Sequence, residues 1–307
     1  MGIGLARMPC IRRARPLLGT FVEIAVMETA SHECDAAIEA AFEVVGKVHD
    51  LMSFHHPDSD VSRLNREASK RAVSVDTWTY QVIETALDIH RRSKGLFDIS
   101  VAPVLQHLGL LPRHESNRPL STPDMQACDS VELLSNCRIR FRDEWVKIDL
   151  GGIAKGFAVD CAVAILRAHG ASSGVVNAGG DLAAFGLSPY AIHVRDPRDP
   201  LRLMCCVDVR DEAIASSAAR FDPTVSPHGL EAAIVDPRDG ATVGAIAGVT
   251  VRASSCMVAD ALTKVVMIAG ESATATLDHY GASALLVLPN GDLRLSPDWQ
   301  HAVSLAA

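Results

Sequence analysis

The sequence predicts an α+β fold in which mixed or antiparallel sheets pack against helices and a ligand cleft opens between lobes. Three observations lead there. Short strand-like runs separated by Gly, Pro, Asn and Asp turns recur from the first strand to the C-terminal third, a few helices with one apolar face interrupt them, and no Gly-, Ser- or Pro-rich linker divides the chain. With 307 residues, 48% of them apolar, a sizeable core is available and disorder as a whole is excluded. The net charge of -8 is spread without a long acidic or basic block, which leaves no electrostatic footprint for nucleic acid.

Residues 1–14 read as a basic tail and residues 15–307 as one continuous domain. Arg12-Arg13 and the apolar run from Pro16 to Val26 have the outline of a twin-arginine export signal, but Glu23 interrupts it and the alternation from Phe21 to Val26 reads as a first strand. Ala37, Ala41, Val44, Val45, Val48 and Leu51 recur at helical spacing and predict a helix ending near Met52. A second helix is expected over Thr77 to Lys94, with Val82, Ala86 and Ile89 inward and Gly95 as its stop. The polar, proline-bearing stretch from Pro112 to Met125 reads as a surface loop. Trp145 to Ile148 is strand-like, Gly151-Gly152 is a turn, and Ala154 to His169 is helical up to Gly170. A strand from Gly174 to Asn177 then enters Ala178-Gly-Gly-Asp181, so two glycine-rich turns are expected close together in space. Turns follow at Asp196-Pro197, Asp236-Pro237 and Asn290-Gly291, around a helix from Met257 to Ala269 that Gly270 stops.

The eight cysteines form no Cys-x-x-Cys pair and no zinc-like spacing, and read as reduced thiols. Cys205-Cys206 lies in an alternating strand with one side inward. No stretch is long and apolar enough to span a bilayer, so the cytoplasm is the expected compartment. The histidine pair His55-His56, with His107, His114 and His228, lacks ligand spacing and receives no role.

Three places carry chemistry. Ile148-Asp-Leu-Gly-Gly-Ile-Ala-Lys-Gly156 sets glycines on both sides of Lys155 at a helix start, where free N–H groups and the helix dipole favour an anion such as phosphate; the alternative is a tight turn with a solvated lysine. The segment has neither P-loop nor dinucleotide-fingerprint spacing. Asp181 follows Gly179-Gly180 at a strand end, either facing a cleft as a candidate catalytic base or closing an Asx-turn. Asp260 stands on an apolar helix with Thr263 and Lys264 three and four residues on, either as hard-oxygen ligands for magnesium beside phosphates or as an ordinary Asp–Lys surface pair.

These pieces, in this order, resemble the ApbE family, the FAD:protein FMN transferases, from about Pro16 to Gly281. Leu18-Gly-Thr20 is similar to an opening family motif. Met52 to Ser59 with Arg63-Leu-Asn65, and Gly95 to Pro103, resemble the second and third. Ile148 to Asp160, Val175 to Asp181, Asp236 to Gly240 and Ala259 to Leu262 complete the set. The resemblance implies magnesium-dependent transfer of FMN from FAD to a threonine hydroxyl of an acceptor flavoprotein, with AMP released. It also implies FAD contacts at Leu18, Phe54, Phe97, Asp98, Gly151, Lys155, Phe157 and Ile234, and a magnesium ion at Ala154 and Asp260, to which Thr263 is added as a candidate. Three departures stand out. Lys264 replaces the metal-binding threonine, which leaves Thr263 one position early. Ala233 stands where many members have histidine, and Ser216-Ser-Ala218 replaces Thr-Ser-Gly. A non-catalytic FAD-binding or flavin-delivery protein, and an FAD diphosphatase, are therefore the alternatives.

Overall fold

Backbone hydrogen bonding of the alternating segments produces one large antiparallel sheet, and the computed structural model describes residues 10–27, 31–112, 127–219, 234–299 and 303–305. In chain order the elements are β1 (Cys10–Leu17), β2 (Thr20–Met27), α1 (Ser31–Met52), α2 (Asp60–Glu67), β3 (Val73–Ser74), α3 (Thr77–Arg92) and α4 (Ala102–His107). Next come β4 (Val131–Leu134), β5 (Arg138–Phe141), α5 (Ala154–Ala168), β6 (Gly174–Ala178), β7 (Asp181–Phe185), β8 (Tyr190–Asp196), β9 (Asp199–Val209) and β10 (Glu212–Ala218). The chain closes with β11 (Gly248–Ala253), α6 (Cys256–Ala269), α7 (Thr274–His279), β12 (Ser283–Val287), β13 (Leu293–Leu295) and β14 (Val303–Leu305).

The main sheet runs β1-β2-β6-β7-β10-β11-β12-β13, and every neighbouring pair is antiparallel. Period-two alternation sorts its side chains between two cores. Val176, Ala178, Ala183, Phe185, Ala213 and Ala215 join the core beneath α1, α5 and α6. Val175, Leu182, Ala184, Ile214 and Leu285 face the second core with Val194, Cys205 and Val207 of the small sheet β8-β9-β14. The centre of the large sheet is therefore covered on both faces, which is why β7 and β12 are buried throughout. A third small sheet, β3-β5-β4, lies apart.

The expected α+β architecture is present, and the predicted helices fall where the apolar spacing placed them. Val82, Ala86 and Ile89 of α3 are fully buried, and Gly170 and Gly270 end α5 and α6 at positive φ. Cys205 is buried while Cys206 is only partly so. Two local readings change. Cys10 to Ala14, assigned to a basic tail, are strand: the Leu18-Gly19 turn, with both residues at positive φ, folds β1 back so that Cys10 pairs with Met27. Trp145 to Ile148 is not a strand; the strand lies earlier, at β5. The amide of Asn65 instead supplies the ladder bonds that a neighbouring strand would give, accepting from Ile148 N–H at 2.8 Å and donating to Ile148 C=O at 2.9 Å. Beyond Pro112, the expected loop to Met125 lies outside the described residues.

Candidate active site

Antiparallel register places two hairpin tips side by side at one end of the sheet. Val22 pairs with Ala178 across β2 and β6, so the Leu18-Gly19 tip lies against the Gly179-Gly180 tip. A Cβ on Gly179 would come within 2.6 Å of Thr20 Oγ1, so only glycine permits this approach. The Gly151-Gly152 turn arrives at the same place and starts α5, and the three turns border a cleft of about 470 Å3. Its other walls include Phe97, Asp98, Asp149, Ser216, Ser217, Ile234 and Lys264.

At the start of α5 no side chain caps the helix. Ala154 N–H bonds Leu150 C=O and Gly156 N–H reaches Asp260 Oδ2 at 3.1 Å, while Gly152 and Lys155 N–H have no protein acceptor among the described residues. Such an end attracts an anion. The start of α6 is built differently. Asp160, reaching across from α5, accepts from Cys256 N–H at 2.8 Å, Met257 N–H at 2.9 Å and Ser255 Oγ at 2.8 Å. Gly156 lets the two helices meet, because a Cβ there would lie 2.2 Å from Cys256 O.

Four charged side chains form one network behind the cleft. Lys264 Nζ contacts Asp260 Oδ1 and lies 3.0 Å from the Asp260 carbonyl oxygen. Lys155 Nζ contacts Asp181 Oδ2 and lies 3.6 Å from Asp260 Oδ2. Asp260 is fully buried and Asp181 nearly so, whereas both lysines line the cleft, so the ammonium groups stand between the acids and any ligand. Burial pushes the Asp260 carboxyl up, but Lys155 and Lys264 outweigh it and hold it below the usual carboxylate range. Asp181 moves the other way, raised by burial and by the neighbouring charge of Asp260 more than Lys155 lowers it. Burial works against the Lys155 ammonium, yet the two carboxylates raise its pKa.

The structure brings Leu18, Phe97, Asp98, Gly151, Lys155 and Ile234 together on the cleft wall. It does not bring Phe54 or Phe157 there. Both are buried in the main core, and Phe157 points to Trp78, its ring edge-on at 6.0 Å, because it occupies another face of α5. Asp181 is held by Lys155 behind the wall, and the Asp260–Lys264 pair is buried where an exposed pair was the alternative. Asp149 is a cleft-lining carboxylate that the sequence pattern did not single out; it accepts from Gly151 N–H at 3.1 Å, and burial raises its pKa. Its signal was its place two residues before the glycine turn. Ala233 lies outside the described residues.

The residues implied for magnesium do not fit an ion as they are arranged. Thr263 donates to the Asp260 carbonyl at 2.7 Å and pairs with Ser217 Oγ at 2.8 Å, since one residue of helix turns it about 100° away from position 264. Asp260 Oδ1 is taken by an ammonium and Oδ2 by Gly156 N–H. Ala154 is buried and does not line the cleft. His90, Asp98 and Cys128 lie close enough together to hold an ion, with Asp98 on the cleft wall, and burial drives the Cys128 thiol well above its ordinary value.

Proteins of known structure share this fold. The chain is 27% identical over 259 residues to the FAD:protein FMN transferase of Vibrio cholerae serotype O1, covering 81% of this chain and 75% of that one. It is 26% identical over 321 residues to the protein of the same name from Treponema pallidum, covering 95% and 88%. The crystal structure of the ApbE protein of Thermotoga maritima superposes with a TM-score of 0.84 at 28% identity, over 96% of this chain and 99% of that one. The apo flavinyl transferase ApbE of Pseudomonas stutzeri shares the fold, with a TM-score of 0.81 at 21% identity. The ApbE family model matches residues 18–286, and the chain belongs to the ApbE family.

Proposed function

We propose that this protein transfers FMN from FAD to a threonine hydroxyl of an acceptor flavoprotein and releases AMP. The observation that carries the reading is the uncapped start of α5, set between two lysines and two glycine hairpin tips on the wall of a cleft large enough for a cofactor. The names borne by the Vibrio and Treponema relatives support it. Gly152 and Lys155 N–H and the two ammonium groups receive the diphosphate, while Leu18, Phe97 and Ile234 offer apolar contact to the flavin. The acceptor oxygen forms a new bond to the FMN phosphorus as the bond to the bridging oxygen breaks, and AMP departs with that oxygen. Asp149, the carboxylate that borders the cleft beside Gly151, is placed to take the hydroxyl proton, and Asp181 acts by holding Lys155. A divalent ion, which the family resemblance implies, would supply a Lewis acid on the diphosphate; the donor set as arranged does not fit it.

No described helix is long and apolar enough to cross a membrane, and Cys34, Cys128, Cys137, Cys161, Cys205, Cys206 and Cys256 are free. The reaction is proposed to take place in the cytoplasm, on a protein partner.

The test is incubation with FAD and a threonine-bearing flavoprotein, with mass spectrometry of the acceptor and an assay for AMP. An acceptor mass gain of one FMN, lost in Asp260→Ala, is the expected result. Bound FAD with neither AMP nor modified acceptor would establish the flavin-delivery alternative, and free FMN with AMP would establish a diphosphatase.

A further inference from the structure

Lys264 holds the place of a cation. Its ammonium touches a carboxylate oxygen and lies 3.0 Å from a backbone carbonyl oxygen, both from Asp260, which is the hard-oxygen environment a divalent ion seeks. Lys155 approaches the second carboxylate oxygen of Asp260 at 3.6 Å and is anchored by Asp181, so each oxygen of the fully buried carboxylate faces its own ammonium. Both lysines reach the cleft. The Thr263 hydroxyl, the remaining candidate ligand, is directed elsewhere, to Ser217.

Resting on the flavin-transfer reading, we propose that Lys264, with Lys155 beside it, replaces the divalent ion, so that this chain binds the FAD diphosphate and transfers FMN without a metal. A lysine brings one positive charge where an uncharged residue with a divalent ion would bring two. Lys264 therefore supplies half of that charge, and the Gly152 and Lys155 N–H groups at the α5 start meet the diphosphate oxygens directly. In the transfer step the acceptor oxygen bonds to the FMN phosphorus, the bridging oxygen leaves on AMP as a phosphate monoester, and the ammonium groups face the charge that develops there. The hydroxyl proton passes to a carboxylate. No oxidant or further reactant is needed.

Two titrations of the folded chain test this. In calorimetry, FAD affinity in EDTA and in millimolar magnesium should differ by less than about twofold, while Lys264→Thr should lose about tenfold in EDTA and recover with magnesium. Lys264→Arg, which keeps the charge, should keep its affinity in EDTA and guards against a threonine variant that folds poorly. With manganese alone, followed by electron paramagnetic resonance, the unmodified chain should take up no more ion than Asp260→Ala, and Lys264→Thr should gain a site. Manganese bound by the unmodified chain and lost in Asp260→Ala, or FAD binding that appears only with magnesium, would overturn the proposal while leaving flavin transfer intact. FAD that binds under neither condition removes both.

Discussion

Helices α5 and α6 cross at Gly156, yet their N-termini are finished in opposite ways. The start of α6 is closed by the protein itself: Ser255 caps it and the Asp160 carboxylate takes the Cys256 and Met257 N–H groups. The start of α5 carries no side-chain cap and opens on the cleft. Each helix end presents the same unsatisfied donors and partial positive charge. The difference teaches that an anion site is made by leaving out a cap that the neighbouring helix shows is easily provided.

The contrast can be broken most severely at Gly156. Gly156→Ala places a Cβ 2.2 Å from Cys256 O and 2.8 Å from Met257 Cα, both backbone atoms, so the helices must separate. A stability loss of about 3 kcal/mol is expected in chemical denaturation. A loss below about 1 kcal/mol would mean that the crossing is not tight.

Asp160→Ala should come next, because it strands three donors at the closed end. About 2 kcal/mol should be lost in the same measurement, with FAD affinity little changed. Gly152→Val addresses the open end. The atoms nearest a Cβ there belong to the Lys264 and Phe97 side chains, at 3.5 Å each, so the fold should tolerate the change while the branched side chain blocks the cleft. FAD affinity should fall about tenfold, equivalent to about 1.4 kcal/mol, with the thermal midpoint nearly unaltered. A drop in midpoint comparable to that of Gly156→Ala would erase the distinction between the two ends.

The smallest effect is one of pH. Burial raises the Asp160 carboxyl despite the hydrogen bonds that lower it, so the native state holds its proton more tightly than the unfolded chain. Its contribution to stability is fully present below the unfolded value of about 3.9 and is lost as pH rises through the higher folded value. Asp160→Asn should flatten that part of the stability curve, and an unchanged slope would show that Asp160 does not titrate this way.

What the sequence determined by itself is local. Apolar spacing located α1, α3, α5 and α6, and glycines after the last three located their ends, because helix periodicity and positive φ are properties of a few adjacent residues. The Ile148 to Gly156 turn, Lys155 and the Asp260–Lys264 spacing were legible for the same reason. Tertiary structure decided the rest, since it depends on partners far apart in the chain. Cys10 to Ala14 became strand only because β2 lay beside them, and Ile148 was satisfied by an amide 83 residues away. Phe157 went to the core because the direction of a helical face is set by what packs on it. The closed cap on α6 comes from Asp160, nearly a hundred residues earlier, and the burial of Asp260 between two lysines needed both helices in place. Charge and hydroxyl content are written in the sequence, but which oxygen a cation reaches is fixed only when distant backbone is brought within hydrogen-bond range.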